Sequence, residues 1–207
     1  MKKFLVILMI FLGSCSPSDD NKKSDKTSNN EIEISGEIKR ISVGNIDAKI
    51  LIIAYESLTC SHCANFHKDV YPKLKKEYID TGLAKIEFRH FPLDIAALNA
   101  SKVSQCNSDQ NLEILESLYS NQQAWIKGNT AQEINNNLKK FLKKEGFDID
   151  FEKCIDNKEI EDFVLNDRIE GAKKFDVIAT PTIIINDKKF EKSLNYKNLK
   201  KSLEKLI

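Results

Sequence analysis

Two cysteines separated by two residues are the part of this 207-residue sequence whose side chains are best suited to chemistry. Cys60, Ser61, His62 and Cys63 follow an apolar run at residues 50–55, where a predicted strand gives way to a predicted helix. A helix start has unpaired backbone N–H groups and the positive end of the helix dipole, which stabilise a thiolate on the first cysteine. His62 can add to that stabilisation. The spacing suits a redox-active disulfide but also suits zinc, so other features of the chain must distinguish the two.

Composition and charge narrow the possible functions. The chain has 32 basic and 31 acidic residues scattered along its length, with a formal net charge of +1. It therefore lacks the concentrated basic surface that nucleic-acid binding requires, and we expect no nucleic-acid partner. The 41% of hydrophobic residues is enough for one sizeable core.

The first residues are typical of an export signal. A basic start is followed by nine apolar residues at 4–12, too few to span a bilayer as a helix. The run Leu-Gly-Ser-Cys that ends at Cys15 resembles the lipobox of bacterial lipoproteins. It predicts a signal peptide at 1–14 and a lipidated Cys15, with an ordinary secretory signal as the alternative. Residues 16–30 contain no aliphatic or aromatic side chain, so the segment 15–30 is predicted to be a disordered tether.

The number of cysteines is consistent with export. Lipidation of Cys15 leaves four of the five, which can be grouped as Cys60 with Cys63 and Cys106 with Cys154. An oxidising compartment favours disulfides, so the second pair is predicted to be structural. Two separate buried thiols are the alternative.

The apolar pattern predicts the order of the secondary structure. Residues 31–41 suggest one or two short edge strands, and residues 84–90 alternate as a half-buried strand. A helix is predicted for 65–79, with a kink or break at Pro72. Helical periodicity dominates 94–175, and a strand at 182–186 is followed by a short turn, a further strand and a final helix. His90, Tyr119 and Trp125 are interpreted as packing residues.

Two segments carry a resemblance to a known family. Residues 42–94, which contain the CxxC motif, and residues 171–187, which contain Thr180-Pro181, resemble the DsbA-like thiol:disulfide oxidoreductases of bacterial cell envelopes. The placement of Cys106 and Cys154 is similar to that in alphaproteobacterial-type members, which have a second, non-catalytic disulfide. The resemblance implies an α/β fold of the thioredoxin type at 31–93 and 176–207, interrupted by an inserted helical domain at 94–175.

The resemblance also implies a role for each site residue. Cys60 matches the cysteine that forms a mixed disulfide with substrate, and Cys63 matches the resolving cysteine. His62 occupies the position that stabilises the Cys60 thiolate. Thr180 and Pro181 match a loop with a cis proline that binds an extended substrate segment.

The chain departs from the family pattern at two positions. Ser61 stands where proline is common, and Ala54 stands where a buried acidic proton acceptor is usual. Glu56 lies two residues further along and therefore on the same strand face. It is either a proton relay for Cys63 or a carboxylate at the rim of the site, and the sequence leaves both open.

The predicted function is a disulfide oxidase of the cell envelope that donates the Cys60–Cys63 disulfide to reduced exported proteins. A membrane redox partner would restore the disulfide, and the sulfur pair would need no separate cofactor or metal. We expect a monomer held on the periplasmic side of a membrane by its lipid, with a soluble periplasmic protein as the alternative. The alternative functions are a tethered thiol reductase or isomerase, or a metal-binding or client-binding protein using the cysteines, His62 and His67.

Overall fold

A five-stranded mixed sheet forms the centre of the computed structural model, which describes residues 38–207. The strand order is β1-β3-β2-β4-β5, and only the central pair, β2 and β3, is parallel. The strands are β1 (Ile41–Gly44), β2 (Ile50–Glu56), β3 (Ala84–His90), β4 (Thr182–Ile185) and β5 (Lys188–Lys189). The sheet, with six helices between β3 and β4, confirms the predicted thioredoxin fold with a helical insertion.

The helices occupy the positions between and after the strands. They are α1 (Ser61–Asn65), α2 (Tyr71–Leu74), α3 (Ile95–Cys106), α4 (Asn111–Ser120), α5 (Gln122–Trp125), α6 (Ala131–Lys144), α7 (Phe151–Asp156), α8 (Lys158–Phe175) and α9 (Tyr196–Leu203). Two π-helical segments, Phe66–Val70 and Lys75–Ile79, follow α1 and α2. In this part of the chain every helix is too short or too polar to cross a bilayer.

The helical run from Ser61 to Ile79 passes through Pro72 without ending there. Pro72 lies in the first turn of α2, and the preceding segment has π-helical hydrogen bonding. A wider turn before the proline relieves the clash of its ring with the preceding carbonyl groups. The irregularity predicted at Pro72 is therefore a change of helix type rather than a break.

The predicted edge strand lies further along the chain than expected. Residues 38–40 have no strand structure, and β1 begins at Ile41, the last residue of the predicted stretch. Positions 31–37 of that prediction lie outside the described residues. The strand ends at Gly44, where φ is +112° and a Cβ would lie 2.7 Å from the carbonyl oxygen of Ala84. Only glycine allows this approach of β1 to β3.

Both faces of β2 are buried, which explains its continuous apolar sequence. Ile50, Ile52 and Ala54 face the larger core, which includes the π-helical run and the inserted helices. Ile53 and Tyr55 face a smaller cluster that includes Phe175 at the end of α8. The position of α8 is set by close contact, because a Cβ on Gly171 would lie 2.7 Å from the ring of Tyr55.

A disulfide connects two of the inserted helices. Cys106, the last residue of α3, is bonded to Cys154 in α7, and the two are 48 positions apart in the sequence. Neither residue is near the CxxC motif in sequence. The bond therefore restrains the inserted helices and leaves Cys60 and Cys63 as the free thiols of the described chain.

The double variant Cys106→Ala/Cys154→Ala tests the contribution of this disulfide. The unfolded chain would regain the conformations that the crosslink removes, so the free energy of unfolding should fall by up to about 4 kcal/mol. Urea denaturation of the variant and the wild type measures the difference. Equal stability of the two proteins would contradict this expectation.

Two neighbouring buried groups have pKa shifts in opposite directions. Burial raises the pKa of Asp167 in α8 to about 6, although Arg40 and the backbone N–H of His90 oppose the shift. Burial lowers the pKa of His90 to about 4, and its Nε2 lies 2.9 Å from the amide nitrogen of Gln105. Burial therefore shifts each group toward its neutral form relative to the unfolded chain.

These shifts predict opposing effects of pH on stability. The contribution of Asp167 is present below about pH 4 and is lost as the pH rises through 6, whereas that of His90 is present above about pH 6.5 and is lost as the pH falls through 4. Each is worth about 3 kcal/mol. In Asp167→Asn only the contribution of His90 remains, so the free energy of unfolding should increase as the pH is raised from 4 to 6.5. In His90→Gln only the contribution of Asp167 remains, so the free energy of unfolding should decrease over the same pH range. Urea denaturation at successive pH values measures both slopes, and identical slopes in the two variants would refute the assignment.

Candidate active site

Cys60 stands at the junction between β2 and the first helix. It is the N-terminal capping residue of α1, with extended backbone angles, and its carbonyl oxygen accepts hydrogen bonds from the N–H groups of Cys63 and Ala64. Its own N–H donates to the carbonyl of Ser57 at 3.0 Å. The short turn at residues 57–60 thus begins the helical run at Cys60 and places its side chain beside the positive end of that run.

The two sulfurs differ sharply in solvent access. Cys60 is partly exposed and Cys63 is 0% exposed, and both are free thiols. Burial, and then the nearby charge of Glu56, raise the pKa of the Cys63 thiol well above its ordinary value. A reagent in solution can therefore reach Cys60, whereas Cys63 is accessible only to groups inside the protein.

A groove opens beside Cys60. The Cys60 thiol lies 3.4 Å from the carbonyl oxygen of Thr180, and the peptide bond between Thr180 and Pro181 is cis. The groove has a volume of about 520 Å³, and its lining includes Phe66, Val70, Leu194, Thr180 and Pro181. Thr180 and Pro181, far from the CxxC motif in sequence, thus form one site with Cys60.

His62 is exposed and lines the same groove. Within the described chain its ring makes no hydrogen bond, to Cys60 or to any other residue. The structure therefore places His62 on the wall of the groove, one residue after the helix start.

Glu56 is buried beneath the site and does not lie at its rim. It is 3% exposed, and its Oε2 lies 2.8 Å from Nε2 of His67, which is 9% exposed. The His67 ring stacks on Tyr119 of α4, with ring centroids 4.1 Å apart and 18° between the planes. The rim interpretation of Glu56 is therefore wrong. Tyr119 does pack in the core, but it packs directly against this buried pair.

The helical insertion also holds the active-site turn. The side-chain amide of Gln122 donates to the carbonyl oxygens of Leu58, at 2.8 Å, and Cys60, at 3.0 Å. The hydroxyl of Thr59 donates to the carboxylate of Asp94, which also caps the first turn of α3. An aspartate before a helix is a capping signal that the sequence displays. Nothing in the sequence indicates the role of Gln122, whose target lies 62 residues away.

The possible metal ligands of the CxxC region do not converge. His67 bonds to Glu56 in the core, whereas His62 faces the groove. Among residues 38–207 no group of three or more His, Cys, Asp or Glu side chains is placed to hold a metal ion. The zinc interpretation of the motif thus gains no support from the geometry.

The structural comparisons agree with this arrangement. Residues 37–205 match the family model described as Thioredoxin. The crystal structure of Wolbachia pipientis alpha-DsbA1 is similar, with a TM-score of 0.71, 32% identity and coverage of 80% of this chain and 89% of that one. Oxidised BdbD from Bacillus subtilis has a TM-score of 0.67 and covers 81% of this chain and 92% of that one, and at 24% identity it supports the fold alone.

Relatives found by sequence point the same way. Disulfide bond formation protein D of Bacillus subtilis is 29% identical over 202 residues, which cover 88% of this chain and 85% of that protein. A Rickettsia bellii protein that carries the name of a protein-disulfide oxidoreductase is 32% identical over 150 residues, or 70% of this chain. This match spans only 56% of the Rickettsia bellii protein. The family match over most of the chain and the similarity to alpha-DsbA1 show that this chain belongs to the thioredoxin family, among its DsbA-like thiol:disulfide oxidoreductases.

Proposed function

We propose that this protein is a disulfide oxidase of the cell envelope, which transfers the Cys60–Cys63 disulfide to reduced exported proteins. The observation that carries the proposal is the difference in access between the two sulfurs. Cys60 is partly exposed beside a groove, and Cys63 is fully buried. A thiolate of the substrate can attack Cys60 but cannot reach Cys63, so the mixed disulfide forms at Cys60.

The transfer takes place in two thiol–disulfide exchanges. First, a substrate thiolate attacks the Cys60 sulfur, the bond to Cys63 breaks, and Cys63 leaves with the electron pair and takes up one proton. Second, another substrate thiolate attacks the substrate sulfur of the mixed disulfide and releases Cys60 as a thiolate. The substrate disulfide is then complete, and its two electrons reside on Cys60 and Cys63. A membrane redox partner accepts these electrons and restores the disulfide, so no separate cofactor takes part.

The position of Cys60 favours this direction of electron flow. The N–H groups and dipole at the start of the helical run stabilise the Cys60 thiolate, which is the product of the second exchange. A protonated His62 in the same turn would add to that stabilisation. Stabilising the reduced form makes the oxidised form a stronger electron acceptor.

The groove provides the binding surface for an extended substrate. The carbonyl of Thr180 lies beside the reactive sulfur, and Pro181 lines the groove. A substrate segment that crosses Cys60 can pair with the Thr180 backbone like a neighbouring strand. Such pairing uses main-chain atoms, so it suits unfolded proteins of differing sequence.

The membrane attachment is a further part of the proposal. Cys15, the predicted lipidation site, and the predicted signal and tether at 1–30 all lie outside the described residues. Acyl chains contribute about 0.8 kcal/mol per buried CH₂, so more than one chain would hold the protein on the membrane. The oxidase would then act at the periplasmic surface, close to its redox partner.

Disulfide transfer to a reduced two-cysteine peptide tests the oxidase function. The oxidised wild type should form the peptide disulfide, and Cys60→Ser should be inactive. Cys63→Ser cannot form the Cys60–Cys63 disulfide. If its Cys60 is first converted to a mixed disulfide with a small thiol, it should transfer that mixed disulfide to the peptide and nothing more. In the reduced wild type, iodoacetamide should label Cys60 at least about 100-fold faster than Cys63, because only the thiol of Cys60 is accessible. Peptide mass spectrometry and thiol assays give both results. Equilibration in glutathione buffers gives the reduction potential of the Cys60–Cys63 pair. A potential as low as that of cytosolic reductants would exclude the donor role.

The mature N-terminus tests the lipid anchor. Expression of the full chain in a bacterium should yield a protein that begins at Cys15, has the added mass of acyl groups and sediments with membranes. Cys15→Ser should release it into the soluble fraction. An unmodified N-terminus in the wild type would refute the anchor and leave the oxidase proposal standing.

A further inference from the structure

The side-chain amide of Gln122 joins the inserted helices to the turn that leads into the CxxC motif. Its Nε2 donates to the carbonyl oxygen of Leu58 at 2.8 Å and to that of Cys60 at 3.0 Å. An amide nitrogen has two hydrogens, so each carbonyl receives one of them. The opposite orientation of the amide would place its oxygen against two carbonyl oxygens, so these contacts fix which way the amide points.

Gln122 is held in place by its own helix. The residue is 7% exposed, and its backbone carbonyl oxygen accepts the N–H of Ile126 at 2.9 Å. Trp125 of the same helix is fully buried and donates its indole N–H to the carbonyl oxygen of Leu118 at 2.9 Å. Leu58 is also buried, so loss of the Gln122 amide would leave its carbonyl without this donor and with little access to water.

The carbonyl of Cys60 receives a donor from the insertion in addition to those of its own helix. Besides Gln122 it accepts the N–H groups of Cys63, at 3.1 Å, and Ala64, at 3.2 Å. The Cys60 carbonyl and the Ser61 N–H belong to one peptide unit, and hydrogen bonds to the carbonyl of such a unit strengthen its N–H as a donor. That N–H lies at the start of the helical run, where such groups stabilise negative charge on a neighbouring sulfur.

We propose that Gln122 is a positioning residue for Cys60, which stabilises the Cys60 thiolate and so makes the Cys60–Cys63 disulfide a stronger electron acceptor. The inference deepens the oxidase function proposed above and rests on it. Gln122 acts through the backbone of the turn: it fixes the carbonyl groups on both sides of Thr59 and polarises the peptide unit that follows Cys60. The polarised unit favours the reduced form, in which Cys60 can be a thiolate, over the disulfide, in which its sulfur has no charge.

The charged and titratable groups around Cys60 come from four other elements of the structure. They are the same in the wild type and in a variant of Gln122, so the difference between the two proteins isolates the effect of the amide. The groups are His62, Cys63 and Asp69 on the helical run, Glu56 at the end of β2, Asp94 before α3 and Tyr119 on α4.

The variant Gln122→Met tests this role, because methionine has a similar length but no hydrogen-bond donor. Wild type and variant are equilibrated with glutathione buffers at pH 7, and the fractions of dithiol and disulfide are measured after acid quenching and alkylation. We expect the equilibrium of the variant to lie about 3–10-fold further toward the disulfide, as the loss of one net hydrogen bond would give. In the reduced variant, iodoacetamide should also label Cys60 more slowly at pH 5.

The pH dependence of this shift distinguishes stabilisation of the thiolate from a purely structural role. Cys60 becomes protonated in both proteins as the pH falls, so the difference between their equilibria should become smaller from pH 7 to pH 4. A change in the geometry of the disulfide would instead displace the equilibrium equally at every pH. Circular dichroism at each pH checks that both proteins are folded.

Gln105→Met is the matched control, because Gln105 is also a buried glutamine of the insertion but lies outside the site, with its amide nitrogen 2.9 Å from Nε2 of His90. Its glutathione equilibrium should equal that of the wild type. An unchanged equilibrium in Gln122→Met, a shift of the same size at every pH, or an equal shift in Gln105→Met would each overturn the inference.

A second variant keeps the test decisive if Gln122→Met does not fold. Gln122→Glu preserves the shape of the side chain, but its carboxylate cannot donate a hydrogen bond. It should shift the equilibrium toward the disulfide at pH 7, and an equilibrium equal to that of the wild type would refute the role of Gln122. A wild-type potential as low as that of cytosolic reductants would instead overturn the proposed oxidase function, whatever the variants show.

Discussion

The unequal burial of two sulfurs, only three positions apart in the chain, is the constraint on which the rest of the site depends. Cys60 precedes the first helical turn and Cys63 lies within it, so the helix turns the second side chain inward while the first remains at the surface. The burial of Cys63 requires the apolar faces of β2 and the helical run above it. Burial also makes a negatively charged Cys63 sulfur unfavourable, because a charge inside the protein loses its hydration. A nearby proton would therefore favour release of that sulfur.

The helical insertion contributes residues to the candidate active site as well as packing beside it. The side-chain amide of Gln122 donates hydrogen bonds to the carbonyl oxygens of Leu58 and Cys60. The carboxylate of Asp94 accepts a hydrogen bond from the hydroxyl of Thr59, and the ring of Tyr119 stacks on His67. These three contacts come from three different points of the insertion. The geometry of Cys60 therefore depends on how the inserted helices pack, and the Cys106–Cys154 bond acts within that packing. The disulfide can influence the site through the scaffold without contacting either sulfur of the CxxC motif.

Patterns that repeat along the chain made much of this fold predictable. The alternation at 84–90 matches β3 residue for residue, because one face of that strand is buried and the other is half-exposed. The apolar run at 50–55 predicted β2, since burial on both faces leaves no room for polar side chains. Contacts between distant segments were harder to predict. No periodicity links Gln122 to Cys60, and the apolar spacing of residues 65–79 does not distinguish the π-helical segments around Pro72 from an ordinary helix.

The position of the acid shows what sequence and structure each contribute. The period of a strand placed Glu56 on the same face as Ala54, which left a proton relay and a rim carboxylate as alternatives. Ala54 is fully buried against Phe88 of β3, whereas Glu56 lies at the last position of β2, opposite His90. A carboxyl at that last position is within reach of the first π-helical segment, and His67 is the residue of that segment which meets it. An acid at position 56, two residues closer to the helix than position 54, thus has an imidazole partner. The placement of the acid at position 56 is therefore structurally linked to the presence of His67.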